Sequence, residues 1–253
     1  VNLATVIMAH PARTTSVERL VDMLDTTPTV VYDTTNHIWA TAKTALSSAH
    51  PDTTHLLVIQ DDTITSQHLT ETVTEIIAAH PTTPINLYLG TGRPNPVIYR
   101  RWVAAAEDTR PTLIRGPGPT WGVACVYPTT HIRALVEYGD RYTNVGQSYD
   151  GRATAYYRST KTEWLFTWPS LVDHDTTIPS LHSSTPDRHA FRFVGADSTG
   201  LGSDWTKVMG TDRESLHPPV MFVHTTTGRK RKVGKFDREW ERLSRQGSWE
   251  IVG

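Results

Sequence analysis

His55-Leu56-Leu57-Val58-Ile59-Gln60-Asp61-Asp62 is the stretch from which the fold is read. An apolar run from Leu56 to Ile59 stops at two adjacent carboxylates. The run is short, partly β-branched and followed by Thr63, so it predicts a buried strand ending at a sheet edge. In open α/β sheets, ligands gather just outside the carboxyl ends of strands. Two acids there are costly to bury unless something positive meets them. A hard divalent cation is one such partner, because it prefers oxygen ligands and bridges carboxylates to phosphates. The dipeptide alone also admits a plainer reading, in which Asp62 and Thr63 begin a turn or cap the next helix.

Outward from this strand, the pattern alternates. Residues 3–8 predict a first strand, broken at Pro11. A helix over 16–24 follows, with Val17, Leu20, Val21 and Leu24 on one face. A strand at 29–32, a helix over 39–49, the anchor strand, a helix over 67–79 and a strand at 85–89 complete the first half. This alternation predicts a three-layer α/β/α sandwich with a mostly parallel central sheet. No Gly-x-Gly-x-x-Gly turn follows the first strand and no Walker loop follows any strand, so dehydrogenase and P-loop readings rank low. Further on, 90–96 reads as a loop, 103–107 as helical and 115–119 as a stiff Gly/Pro turn leading into a strand through Tyr127. Helices are expected over 131–137 and 150–159, and a strand at 163–167. Residues 175–220 read as irregular, with a short strand at 220–224 and a terminal helix over 236–243.

The chain has 253 residues, 38% hydrophobic and 20% charged, which suits one large α/β domain with a tail. No apolar run approaches the ~20 residues of a membrane span, and no membrane partner is expected. The first segment lacks the basic start and small-residue cleavage site of a secretory signal. The single cysteine, Cys125, excludes an internal disulfide and sits in an apolar stretch, as a buried inert thiol does. A reducing, cytoplasmic setting is the expectation. Net charge is −1, unevenly spread: from His224 onward eight Lys/Arg face four acids, so the tail is +4 and the remainder −5. Such asymmetry suits contact with a polyanion such as DNA, or a solvated basic end.

Several short motifs recur in order: Met8-Ala9-His10-Pro11-Ala12-Arg13, Asp33 with Trp39, Ile59-Gln60-Asp61-Asp62, Trp121-Gly122-Val123-Ala124, and Trp168-Pro169-Ser170-Leu171-Val172-Asp173-His174. Together with Asp150 at a helix start, this set resembles nucleotide-sugar-dependent glycosyltransferases of the GT-A fold, in particular those encoded by phages of actinobacteria. The resemblance spans residues 1–182 as a GT-A-like domain and leaves 183–253 as an irregular C-terminal extension. It implies a nucleotide-sugar donor, UDP-linked, with Mn²⁺ or Mg²⁺ on its diphosphate. Asp62 is then the direct metal ligand, Asp61 touches the ribose or the metal's waters, and His174 completes the metal site. Imidazole favours Mn²⁺ over Mg²⁺. The implied donor contacts are Ala9, His10, Pro11, Arg13, Asp33, Lys43, Gln60, Asp61, Trp121 and Gly122. Asp150 is the implied general base, taking the acceptor hydroxyl's proton; Gly151 stands where the family often carries a second acid.

Each of these residues has a plainer role open to it. Asp150 as a helix N-cap, Asp33 as a turn residue, Lys43 as a solvent-facing lysine, Trp121 as core and His174 as a backbone-bonded loop histidine are all compatible with the sequence. The acceptors that the resemblance admits are a hydroxylated base in phage DNA, a virion protein or a small glycan, in the host cytoplasm. Two other functions compete. A nucleotidyltransferase uses a similar sheet, but wants a richer phosphate loop than Pro11-Ala12-Arg13 after the first strand. A nucleotide- or glycan-binding protein without turnover keeps the sheet alone.

Overall fold

A computed structural model describes residues 1–91, 96–146, 148–178, 188–210, 220–233, 246 and 248–252. The expected terminal helix over 236–243 lies outside the described residues.

The chain is an α/β fold built on an eight-stranded mixed sheet flanked by helices. Its strands are β1 (Leu3–Ala9), β2 (Thr29–Tyr32), β3 (His55–Gln60), β5 (Ile85–Asn86), β6 (Leu113–Pro117), β7 (Ala124–Pro128), β8 (Glu163–Thr167) and β10 (Val208–Met209). Between these, β4 (Thr63–Thr65) and β9 (Val172–His174) form a two-stranded pair. The spatial order is β10-β6-β8-β5-β7-β3-β1-β2. The helices are α1 (Thr14–Met23), α2 (Ile38–Leu46), α3 (Leu69–Ala79), α4 (Pro96–Thr109), α5 (Thr129–Arg141) and α6 (Tyr149–Ser159). A separate antiparallel sheet holds β11 (Val220–His224) between β12 (Lys230–Val233) and β13 (Trp249–Val252).

The anchor stretch is a central strand. Leu56, Leu57, Val58 and Ile59 are all buried, as a strand covered on both faces requires. Each such side chain contributes roughly 1.5–3 kcal/mol by leaving water. β3 runs parallel to β1 and antiparallel to β7. The carboxyl ends of β1, β2 and β3 therefore share one sheet edge, and β7 begins at that same edge.

Several elements differ from the sequence reading, among them α4, which fills Pro96–Thr109 where a helix was expected only over 103–107. β6 occupies residues expected as a stiff turn, because Leu113 and Ile114 are buried and pair with β8 before the Gly/Pro run begins. β5 is cut to two residues where five were expected. There the Asn86 side chain bonds the carbonyl of Trp121 at 2.9 Å and takes the Tyr88 amide at 2.9 Å, competing with the ladder. Thr63 opens β4 and pairs with His174, so Asp62-Thr63 does not cap a helix. The boundary expected at residue 182 does not mark the end of the α/β body. β10 adds to the sheet beside β6, Phe193 bridges Ser170, and Trp205 is buried. No described helix is long and apolar enough to cross a membrane.

Candidate active site

The shared sheet edge opens onto a cavity of about 740 Å³. Its wall includes Ala9, His10 and Arg13 after β1, Asp33 after β2, and Gln60, Asp61 and Asp62 at the end of β3. Trp121 and Gly122 enter ahead of β7, Asp150 from the first turn of α6, and His174 from β9. All of these were expected as site residues. Two others were not brought in. Pro11 is absent from the wall, and Lys43 is half-exposed on α2, where its Nζ pairs with Asp140 Oδ1 at 3.2 Å on α5. Lys43 thus takes the solvent-side role that its place on a helix allows.

Charge organises the floor. Arg13 Nη1 lies 2.7 Å from Asp61 Oδ1 and 3.0 Å from Asp62 Oδ2, all three side chains being buried. The short 3-10 turn over Pro11–Arg13 aims the guanidinium back at the strand end. The His10 amide donates to Asp61 Oδ2 at 2.6 Å. Both oxygens of Asp61 are therefore committed to the protein, which argues against its role as a metal ligand. Burial pushes the Asp61 carboxyl up despite these donors. Burial would raise Asp62 as well, but the His174 ring and the Arg13 guanidinium outweigh it and hold Asp62 at about 2.

Among the described residues, Asp62 Oδ1 is buried with no hydrogen-bond partner, and His174 Nδ1 faces it at 3.7 Å. The imidazole is braced edge-on by Tyr88, ring centroids 5.3 Å apart. One carboxylate oxygen and one imidazole nitrogen thus meet close enough to share a single ion. The described residues fit an ion held by Asp62 and His174. Among the described residues, the one set of three metal-ligating types within reach of each other lies elsewhere, at exposed Asp25, His68 and Glu71. There Asp25 is already bonded to the Thr70 amide at 3.3 Å.

At the end of β2, Asp33 Oδ1 accepts from the amides of Thr35 and His37, each at 3.1 Å. Burial opposes its charge, but these amides prevail and lower its pKa. Asp33 is both a turn residue and part of the cavity wall.

Asp150 is not the N-cap of α6. Ser148 is, its Oγ accepting the Gly151 amide at 3.0 Å. Asp150 Oδ1 takes the Ser148 hydroxyl and, at 2.8 Å, the same Gly151 amide. Among the described residues no donor is recorded for Oδ2. Gly122 is required beside it: a Cβ there would come within 2.8 Å of the Tyr149 ring and 3.4 Å of the Asp150 Cβ.

Sequence reasoning missed Asn36, Thr41, Ser148 and Arg188 in the wall. Asn36 has φ of 52°, a left-handed turn that Asp33-Thr34-Thr35-Asn36 signals. Arg188 gives no local signal, standing in a Ser/Thr/Pro-rich stretch beyond the resemblance. Cys125 is buried in β7 and burial pushes its thiol up, as an inert cysteine requires. Compared with known proteins, the chain matches no family model and no curated protein, so the reading of this cavity rests on its own residues.

Proposed function

We propose that this protein is a metal-dependent glycosyltransferase of GT-A type, moving a sugar from a UDP-linked donor to an acceptor hydroxyl. The observation that carries the reading is the convergence of Asp62, His174 and Asp150 on one cavity at the carboxyl ends of three parallel strands. A strand-end carboxylate and a histidine suit a divalent ion, and a separate carboxylate with an uncommitted oxygen suits a base.

In this reading Asp62 Oδ1 and His174 Nδ1 hold Mn²⁺, which imidazole favours over Mg²⁺. When bound, the ion stabilises charge on the departing diphosphate. Arg13 and Asp61 are positioning residues: they hold the Asp62 carboxylate and leave one of its oxygens for the ion. Arg188 adds a cation to the wall for the diphosphate. Asp33, Asn36 and Thr41 line the nucleoside end. Asp150 Oδ2 takes the acceptor hydroxyl's proton as that oxygen bonds the anomeric carbon. The bond from the anomeric carbon to the diphosphate oxygen breaks, and the electron pair leaves with the diphosphate. The acceptor, whether a hydroxylated DNA base, a virion protein or a glycan, must bring its hydroxyl to Asp150.

The test is a thermal-shift titration with UDP, GDP, ADP and CDP, with and without Mn²⁺. A ligand bound only by the folded chain raises its melting temperature. UDP is expected to give the largest shift, increased by Mn²⁺, and Asp62→Asn is expected to lose the Mn²⁺-dependent part. Full retention of that part in Asp62→Asn, or no shift with any diphosphate, overturns the reading.

A further inference from the structure

A second cavity of about 510 Å³ lies against the first between α5 and α6, and the two share Ser148 and Asp150 in their walls. Asp150 thus stands between two spaces. In the first it keeps company with the Asp62–His174 pair; in the second, with aromatic rings and hydroxyls. Tyr138 and Tyr142 line this second cavity as a stacked pair, ring centroids 5.5 Å apart and planes 20° from parallel. Tyr156 packs edge-on against Tyr138 and braces the pair from α6. The opposite lining is short and polar, with Thr120, Ser148 and Thr154.

We propose that this second cavity is the acceptor subsite, and that it takes an uncharged sugar whose ring face lies on the Tyr138–Tyr142 pair and whose hydroxyl reaches Asp150. The inference rests on Asp150 being the base of the transferase reading. Its own support is the division of labour across that residue. A base serves a transfer when donor and acceptor approach it from different sides, and here the walls on the two sides differ in chemistry. The donor side carries Arg13, Arg188 and buried carboxylates, as a charged diphosphate needs. The other side offers an aromatic platform and hydroxyls. Aromatic faces pack against the C–H faces of sugar rings, while hydroxyls and a carboxylate satisfy the ring's own hydroxyls.

The same lining argues against a nucleic-acid acceptor at this place. Among the described residues of the wall, Arg158 is the one cation, set against Asp150. On α5 and α2, Arg133 Nε pairs with Glu137 at 3.0 Å and Lys43 with Asp140 at 3.2 Å, and neither lines this cavity. A polynucleotide acceptor wants a row of cations along its phosphates, and this cavity does not present one.

The experiment titrates the full chain with methyl glucoside, galactoside and mannoside, in both anomeric forms, and with an oligonucleotide carrying hydroxymethylated pyrimidines. Saturation-transfer NMR reads binding, with and without UDP and Mn²⁺. At least one methyl glycoside is expected to bind, about tenfold more weakly in Tyr142→Ala, as loss of a stacking face predicts, and near the native level in Tyr142→Phe. Ala155→Phe, filling the cavity from α6, is expected to compete with the glycoside and serves if Tyr142→Ala does not fold. The proposal is overturned if no glycoside binds in either condition. It is also overturned if binding ignores both Tyr142→Ala and Ala155→Phe, or if the oligonucleotide alone binds in a Tyr142-dependent way. Glycoside binding without any diphosphate shift leaves the sugar site standing and removes the transferase reading.

Discussion

The guanidinium of Arg13 reaches the carboxylate of Asp61 at 2.7 Å with both side chains out of water, and the same nitrogen touches Asp62. The positive partner that two buried acids demand is thus supplied first by the protein itself. Removing it strands two carboxylates in a low-dielectric floor, which costs about 3–5 kcal/mol. Arg13→Met is therefore expected to lose that much stability by equilibrium urea unfolding. Adding Asp61→Asn to the same chain is expected to recover part of it, since one of the two stranded charges is then gone.

Asp150→Asn is expected to reduce kcat for sugar transfer by about 10²–10⁴-fold, the usual worth of a positioned base. The KM for the donor is expected to change little. Uridine diphosphate release, measured against acceptor concentration, checks both. A fall in donor affinity equal to the fall in rate would assign Asp150 to the donor side instead.

Tyr88 offers a cleaner packing test. Its hydroxyl is buried without a partner among the described residues, while its ring braces His174 and Trp121. Burial also pushes the phenol far up, so it stays protonated. Tyr88→Phe keeps the ring and removes the orphan, so stability is expected to hold or rise by about 1 kcal/mol. Tyr88→Ala is expected to cost about 3–5 kcal/mol through the cavity it opens. Thermal unfolding of the two variants distinguishes the hydroxyl from the ring.

Gly139 on α5 lies where a Cβ would come within 2.3 Å of the Trp39 ring on α2. Trp39 cannot retreat freely: its Nε1 donates to Asp140 at 2.9 Å and the Arg152 guanidinium sits 5.0 Å from its ring centroid. Gly139→Ala is expected to destabilise the chain by about 1–3 kcal/mol through overpacking. Differential scanning calorimetry checks it.

Two histidines set the acid side of the stability profile. Burial lowers the pKa of His55, outweighing the bond between its Nε2 and the Pro81 carbonyl at 2.9 Å, and burial alone lowers that of His131. A depressed folded-state value means that the unfolded chain takes protons first. Their contribution is thus complete above about pH 6.5, the ordinary histidine value, and is lost as pH falls through the lower folded-state values. A tenfold difference in proton affinity is worth about 1.4 kcal/mol. The melting temperature is expected to drop between pH 7 and 5, and less steeply in His55→Gln. Equal slopes in the two proteins would refute the assignment.

How much of this was legible in the sequence depends on the kind of signal. β3 and its two acids were readable because a fully buried strand and its terminus leave a sharp change of polarity. β8 was found at its observed bounds for the same reason, and β2 at its own because the β-branched run Thr29-Val30-Val31 stands out even though none of its residues is buried. β6 was hidden because Gly116 and Pro117 read as a turn, although Leu113-Ile114 supply the buried pair. The reversed direction of β7 follows from long-range pairing, which local periodicity does not carry. In the site, residues at strand ends were readable by position. Arg188 and Tyr142 were not, since nothing local distinguishes a wall residue from any other surface arginine or helix-end tyrosine. Asp61, expected beside the ribose or the metal's waters, is held by Arg13 on one oxygen and by the His10 amide on the other, contacts that the sequence does not announce.

The small strand at Val208–Met209 bears on how the protein comes into being. It hydrogen-bonds to the outer flank of Leu113–Pro117, and Arg188 from the same late segment enters the cavity wall. On the ribosome, a nascent chain that has emerged only through His174 already carries Asp61, Asp62, Asp150 and the histidine. Yet it still has an uncovered sheet border and an unfinished wall. Assembly of the pocket must therefore wait for the segment through Met209 to follow, and a chain cut short before that point should aggregate in place of folding.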